Sequence, residues 1–509
     1  MGVGAHLVWR FGKWWVARAH GAVVEFWGRR TEGAIMLVAG VDSSTQSCKV
    51  VLCDADDGTV VGQGHAPHPP GTEADPEAWW SALQKAGDGL LERAAAVGVA
   101  GQQHGMVALD DDGEVIRPAL LWNDLRSAGA AAELVAEFGG PAWWAANTGS
   151  VPAASFTVTK LRWLAEHEPA NAARVSAVLL PHDWLTWRLL GGMGRLGVGV
   201  EPVTDRGDAS GTGYFSPAAG TWLPDLAAAA LGHAVTLPRV AAPGEVVGQT
   251  GWGAAVSAGT GDNMGAALGL GLRTGDVAVS IGTSGTAFAV SKVPADDPSG
   301  AVAGFADATG QFLPLVCTIN AGLVLSAAAS LLGTDLAGLS ALALAAEPGA
   351  GGITLLPYLD GERTPDRPNA TGVLRGLTTQ NATRENLARS AVEALLASLA
   401  DAADRIAAAC GTEPSSGRVL LIGGGARSPA VREAAPGIFF SPVIVPEAEE
   451  YVALGAARQA AWALAGTPEP PPWPPRSTET YTGPEQPQIR ERHAALRDDT
   501  VTWDERTSS

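Results

Sequence analysis

The stretch LVAGVDSSTQSCKVVLCDADDGTVVGQGHA, residues 37–66, decides the fold. It reads as strand, tight polar turn, strand, turn, strand. β-branched residues cluster around Val41 and from Val50 to Leu52, and Asp56, Asp57 and Gly58 form a turn tripeptide. The first turn, DSSTQSCK at residues 42–49, is rich in small hydroxyl residues, whose backbone N–H groups can cradle phosphate oxygens. Asp42, at the strand end, suits a hydrated magnesium ion, which prefers oxygen ligands. Taken alone, the turn reads equally well as a polar hairpin opened by an Asp. The theme returns in LRTGDVAVSIGTSGTAFAVSK, residues 272–292, whose turn SIGTSGT, residues 280–286, keeps Gly282, Thr283 and Ser284 but lacks the Asp. Two such turns suit the two ends of one polyphosphate. A repeat of this kind implies two similar domains facing each other.

Outward from these hairpins the pattern alternates. Residues 76–97 read as helical, residues 97–116 as short strands, and residues 127–138 and 159–167 as helices again. The alternation argues for a layered α/β fold. We place the boundary within residues 271–275, giving a first domain at 36–272 and a second at 273–466. The second holds a long Ala-rich helix at 386–410, then the apolar strand RVLLIG at 418–423 and a glycine turn. TPEPPPWPP, residues 467–475, is a Pro-rich break, and the tail to residue 509 carries one short helix at 487–497.

Composition narrows the function. A chain of 509 residues exceeds what one core usually serves. With 46% hydrophobic and 17% charged residues it is globular. A formal charge of -19 repels nucleic acid and anionic membranes, which leaves small molecules as partners. The four cysteines form no CxxC pair or zinc-like cluster, so reduced thiols and a cytoplasmic location are expected. Residues 1–35 carry Arg10, Lys13, Arg18, Arg29 and Arg30 among tryptophans, with no clean apolar core or A-x-A cleavage site. They could lie on a membrane surface as a basic amphipathic segment. The plainer expectation is an extension ahead of a true start at Met36, as in GC-rich bacterial genomes, whose Arg-, Ala- and Gly-rich composition this chain shares.

The stretch AGTGDNMGAALGLG, residues 258–271, places one acid, Asp262, among small residues. Asp262 reads as the cap of a helix beginning at Asn263, or as a reactive carboxylate where backbone must approach a ligand. GGGARSP, residues 423–429, follows an apolar strand, and its missing side chains would let a flat base lie on the backbone, although a strand-to-helix turn capped by Ser428 explains it as well. GQQHG supplies Gln103 and His104, and LLWND supplies Trp122, Asn123 and Asp124. Amides, carboxylates and imidazole beside an aromatic ring suit a polyhydroxylated ligand. No Walker A or GxGxxG motif is present, which disfavours P-loop and Rossmann nucleotide sites.

These blocks carry a resemblance. GVDSSTQSCKVVLCD, AGQQHGMVALDDDGEVIRPALLWND, KLRWLAEHEP, VLLPHDWLTWRL, TDRGDASGT, GTGDNMGAALGLG, SIGTSGTAF, LPYLDGERTP, GVLRGLT, LIGGGARSP and ALGAARQAA follow the order and spacing of the FGGY carbohydrate kinase family. The match spans residues 38–466. It implies two actin-like (ribonuclease H-like) ATPase domains flanking a catalytic cleft. It also implies ATP and Mg2+ as cofactors, a ketose substrate, and a monomer or homodimer. The similarity runs most closely to xylulose-phosphorylating members, which implies phosphorylation of D-xylulose at O5. Asp262 matches the family's catalytic base, with Asn263 beside it. Gln103 and His104 match the sugar-contacting pair, and Trp122, Asn123 and Asp124 complete the expected sugar site. Asp42 matches the acid near magnesium. Ser44, Thr45 and Lys49 belong to the first phosphate turn, Gly282 and Thr283 to the second, and Gly424 and Gly425 to the nucleotide turn. The chain departs from the family at Gln103, often Met, at Ser44, often Gly, and in GGMGRLGVGVEPV, which looks longer than the usual hairpin. Rival readings are a relative acting on ribulose, gluconate, fuculose or glycerol, an actin-like ATPase that handles proteins, and a regulator that binds sugar without turnover.

Overall fold

The computed structural model describes residues 17–19, 22–24, 35–412, 417–474 and 477–503. The expectations for the N-terminal extension therefore fall largely outside the described residues, as do residues 504–509.

The first hairpin region folds as expected: β1 (Leu37–Ser43), β2 (Ser47–Asp54) and β3 (Val60–Pro67) form an antiparallel meander. β4 (Ala96–Gly101) lies parallel to β1. β5 (Val246–Gln249), β6 (Ala255–Ser257) and β7 (Thr260–Gly261) complete the sheet in the order β5-β6-β4-β1-β2-β3, with β7 paired to the far end of β4. β1 and β4 are buried nearly throughout, as central parallel strands are when both faces are covered.

The second sheet starts with the antiparallel pair β8 (Val277–Ile281) and β9 (Gly285–Ala289). β10 (Ala303–Ala306) and β11 (Phe312–Thr318) extend it on one side. On the other side β12 (Val419–Ile422) and β13 (Val443–Pro446) run parallel to β8, and β14 (Thr478–Tyr481) forms the edge. The path β11-β9-β8-β12-β13 repeats the plan of β3-β2-β1-β4-β6. The repeat seen in the two hairpins is thus a repeat of topology.

Several elements depart from the sequence reading. The helix expected over residues 76–97 spans only Pro76–Gly87. Asp88 leaves helical geometry with ψ 123, and the apolar run beyond it becomes β4. A short apolar run fits a buried strand as well as a helix, so periodicity alone does not separate the two. The long helix is Arg384–Ala409, started by Thr383, whose hydroxyl accepts from the Asn386 N–H. Residues 191–202 form turns rather than a hairpin, and lead into Val203–Thr204, which pairs in parallel with Arg239–Val240. Beyond the Pro-rich break the chain supplies β14 and the helix Pro487–Asp499, whose Ile489, His493 and Leu496 are buried.

One late helix returns to the first sheet. Ala453, Leu454 and Ala457 of Tyr451–Ala465 share an apolar cluster with Val38, Val51, Ala96 and Ala255. Glycines permit this approach: a Cβ at Gly40 would lie 1.9 Å from the Ala453 carbonyl oxygen. The same helix crosses Asp262–Leu270 with backbones nearly touching, and a Cβ at Gly455 would lie 1.8 Å from the Gly265 oxygen. This crossing pins the helix that begins at Asp262. Among the described residues, no single helix is long and apolar enough to cross a membrane.

Candidate active site

β1, β4 and β7 run parallel and end at one edge. Asp42 pairs with Ala100, Ser43 with Gly101, and Gly261 also with Gly101. Gln103, His104, Asp262 and Asn263 follow immediately, outside the carboxyl ends of the strands, where open α/β sheets bind ligands. In the second sheet the parallel strands β8 and β12 end in the turns at Gly282 and Gly423. Two cavities open here. One of about 790 Å³ is lined by Asp42, Ser44, Lys49, Ser280, Gly424 and Glu450, among others. One of about 660 Å³ is lined by Thr45, Gln103, His104, Trp122, Ser155 and Arg363, among others. Asp262, Asn263 and Thr286 line both.

Gly261 is the N-cap, and Asp262 is the first helical residue rather than the cap. Its Oδ1 accepts from the Asn263 backbone N–H at 2.7 Å and from Asn263 Nδ2 at 2.8 Å. Asn263 Nδ2 also reaches Gln103 Oε1 at 3.4 Å. Burial, reinforced by the Asp42 charge, pushes the Asp262 carboxyl up to about 7, against the Asn263 hydrogen bonds. Burial pushes Asp42 up to about 6; the Ser44 hydroxyl and Lys49 oppose this, while Glu450 adds to it. Lys49 Nζ lies 2.6 Å from Glu450 and 3.9 Å from Asp42.

His104 is a non-glycine residue in left-handed backbone, with φ 67. Such geometry persists only where neighbours enforce it. Its carbonyl accepts from Lys160 Nζ at 3.0 Å and Thr157 Oγ1 at 3.1 Å. Its Nδ1 lies 2.6 Å from the Gly211 carbonyl oxygen, which only accepts, so Nδ1 carries the proton. Burial, then the Lys160 charge, holds the ring down at about 3, so it is neutral and Nε2 is an acceptor. Gln103 Nε2 and Ser155 Oγ are buried without partners at this cavity. Both are polar groups that a ligand would satisfy.

The remaining sequence candidates divide. Trp122 is 41% exposed and donates to Thr45 Oγ1 at 2.7 Å. Asn123 Nδ2 donates to the Gly71 carbonyl at 3.4 Å while its Oδ1 is buried without a partner, and Asp124 accepts from Thr72, the Arg126 N–H and Arg126 Nε. Neither lines either of these two cavities, and Asp124 instead builds the turn beneath Trp122. Gly424 faces the larger cavity, whereas a Cβ at Gly425 would strike Ile281 Cγ2 at 2.2 Å, so Gly425 serves packing. Gly282 and Thr283 are exposed on their turn, tied to the next helix by Gly322 N–H donating to the Gly282 oxygen at 2.8 Å. Ser428 is the N-cap of Pro429–Phe439 without a side-chain cap bond. The sequence reading missed Thr286, Ser155, Lys160 and Arg363. Thr286 lay within the second quoted hairpin, Arg363 within LPYLDGERTP and Lys160 at the head of KLRWLAEHEP, whereas Ser155 carries no local signal.

The comparisons with known proteins bear directly on this cleft. The FGGY family of carbohydrate kinases, N-terminal domain, matches residues 37–270, and the C-terminal domain of that family matches residues 277–464. A xylulose kinase from Streptomyces coelicolor is 51% identical over 449 residues, covering 84% of this chain and 88% of its own. Another from Streptomyces rubiginosus is 48% identical over 471 residues, covering 88% and 92%. The crystal structure of xylulose kinase from Bifidobacterium adolescentis superimposes with a TM-score of 0.85 at 46% identity, covering 91% of this chain and 99% of that one. Both halves of the cleft are thus accounted for, and the chain belongs to the FGGY family of carbohydrate kinases, which transfer phosphate from ATP.

Proposed function

We propose that the protein transfers the γ-phosphoryl group of ATP to O5 of D-xylulose, giving D-xylulose 5-phosphate and ADP. One observation carries the reading: Asp262 stands where the two cavities join, beside the buried Gln103, whose amide nitrogen Nε2 has no partner. The smaller cavity takes the ketose and the larger the nucleotide. The xylulose kinases at about half identity support the choice of sugar.

Asp262 acts as general base. Asn263 occupies Oδ1 with two donors, which leaves Oδ2 to accept the O5 proton. As the proton moves, O5 attacks the γ-phosphorus and the bond to the bridging oxygen of ADP breaks. A carboxyl near 7 is matched to this task at neutral pH. Gln103 Nε2 donates to a sugar oxygen, and His104 Nε2 accepts from a sugar hydroxyl. Gly424 gives the nucleotide close access to backbone, and the hairpin turns offer N–H groups to the phosphates. Two acids, the buried Asp42 and the half-buried Asp262, meet the phosphate site with Lys49 as the cation beside Asp42, and that excess of negative charge fits a hard divalent ion. Asp42 would hold Mg2+, which supplies charge neutralisation on the phosphates.

The test is ADP release by the full chain with Mg-ATP across ketoses, polyols and aldonates. D-xylulose should be fastest by at least about tenfold in kcat/KM, about 1.4 kcal/mol of transition-state binding. A different winner would overturn the sugar assignment and leave the role of Asp262 standing.

A further inference from the structure

Two motifs take no part in the chemistry above: PHDW at residues 181–184 and TDRGDASGT at residues 204–212. They meet directly beneath the site. His182, Asp183, Asp205 and Asp208 are 0%, 1%, 2% and 0% exposed. His182 Nδ1 lies 2.6 Å from Asp208 Oδ2 and 3.2 Å from Asp183 Oδ1, and Nε2 lies 4.0 Å from Asp205 Oδ1. Two of the acids have backbone duties. Asp183 accepts from the Leu180 N–H at 2.8 Å and so starts the helix Pro181–Leu189. Asp205 accepts from the N–H groups of Gly207 and Asp208 at 2.8 and 2.9 Å.

The cluster touches the segments that carry Gln103, His104 and Asp262. A Cβ at Gly101, two residues before Gln103, would lie 2.9 Å from His182 Cβ. A Cβ at Gly259, three residues before Asp262, would lie 2.5 Å from His182 Cδ2 and 2.8 Å from its Nε2. The turns that begin at Asp205 run through Gly211, whose carbonyl fixes the His104 ring. A Cβ at Gly211 would lie 2.8 Å from His104 Nδ1. His182 is thus wedged against the backbones leading to Gln103 and Asp262, and its acids anchor the turn that orients His104.

His182, Asp183 and Asp208 also have the composition of a metal site. The 2.6 Å approach of Nδ1 to Asp208 is that of a hydrogen bond. Ligands bonded at about 2.0–2.2 Å around a tetrahedral ion stand farther apart than this. A proton, not a metal, therefore lies between them. Buried carboxylates need a compensating cation, and removing it leaves them uncompensated.

We propose that His182 is a positioning residue of this kinase: as a standing imidazolium it balances the negative charge gathered at Asp183, Asp205 and Asp208, and through Gly101, Gly259 and Gly211 it sets the places of Gln103, Asp262 and His104. The inference rests on the role given to those three residues above. Burial alone would lower the ring, but the Asp183 charge, the Asp208 hydrogen bond and the Asp205 charge outweigh it and hold it up at about 10. Burial in turn pushes Asp208 up, against the His182 hydrogen bond and charge, and the charges of Asp205 and Asp262 add to the rise.

The first measurement is nitrogen NMR of the imidazoles in the full wild-type chain at about pH 8.5, well above the ordinary histidine range. One of the nine histidines should keep both ring nitrogens protonated. Finding none overturns the proposal, whatever any variant does. The second measurement compares His182→Gln with His182→Lys. Because a misplacement of about 1 Å costs about 100-fold, His182→Gln should lose about 100-fold in sugar kcat/KM with ATP KM nearly unchanged. His182→Lys, which restores the cation, should recover at least about tenfold of that loss. Equal loss in two folded variants overturns the positioning role. If His182→Gln does not fold, the wild-type imidazolium count decides. Failure of the wild type to phosphorylate D-xylulose would strike the substrate assignment alone and leave that count untouched.

Discussion

Replacing Asp262 with Asn should move activity and stability in opposite directions. Asn is nearly isosteric and its Oδ1 can still accept from Asn263, so ligand binding should change little. The proton acceptor is lost, and a positioned base contributes about 100- to 10,000-fold. We expect kcat to fall by that range, about 3–5 kcal/mol in barrier, with both KM values within a few-fold. Stability runs the other way. The Asp262 carboxyl rises from its ordinary 3.8 to about 7, so the native state holds this proton more tightly than the unfolded chain does. Stability from this group is therefore lost as pH climbs from about 4 to 7. The shift of about three pKa units would be worth about 4 kcal/mol at full weight. Asp262 is only half-buried, so screening by water reduces this to about 1–2 kcal/mol. Asp262→Asn should accordingly resist urea better than wild type at pH 8, and the gain should shrink as pH falls toward 4. In wild type, kcat/KM should rise with pH through about 7. A variant with more than about a tenth of wild-type kcat, or one that is less stable at pH 8, would refute the reasoning.

Three further outcomes follow from the same geometry. Gln103→Leu removes the unpartnered Nε2 donor and should raise the sugar KM about tenfold while leaving ATP KM unchanged, because a lost hydrogen bond is worth about 1 kcal/mol or more. Lys160→Met leaves the carbonyls of His104 and Ser155 without their ammonium donor; sugar KM should rise at least about tenfold, with a lower thermal midpoint. Gly455→Ala places a Cβ against the Gly265 carbonyl and should cost about 1–3 kcal/mol in denaturant unfolding, together with kcat, since the Asp262 helix must shift to admit it.

The parts of this molecule that a sequence reveals are those whose cause is local. A strand-turn-strand hairpin declares itself through β-branched runs and small turn residues, and both hairpins were visible in that way. Asp262 stood out because a charged residue among glycines is locally unusual. Asn123 and Asp124 stood out for the same reason, as polar residues beside Trp122, but no local signal said that Asp124 would be held by Thr72 and Arg126. What stayed hidden is long-range. Nothing in ALGAARQAA says that its helix crosses back to the first sheet, because the glycine contacts that allow it join Gly40 and Gly265 to partners far along the chain. Lys160 reads as an ordinary helical lysine until its Nζ is seen donating to the His104 carbonyl.

The charge arrangement explains why a distant layer matters for chemistry. Asp262 owes its raised basicity first to burial and then to Asp42, which emerges from another strand. Asp208, one layer below, is itself raised in part by Asp262. The carboxylates around the reacting point therefore form a coupled stack with few cations: Lys49 beside Asp42 above, and His182 among three acids below. Neutralising the lower acids with a fixed imidazolium keeps them from adding to the field at Asp262. Without it, their negative charge would raise Asp262 further, and the base would be protonated at neutral pH. The sugar site needs Asp262 basic enough to take a proton yet ionised often enough to be ready. In this fold that balance is set as much by a histidine 80 positions earlier in the sequence as by the residues that touch the substrate.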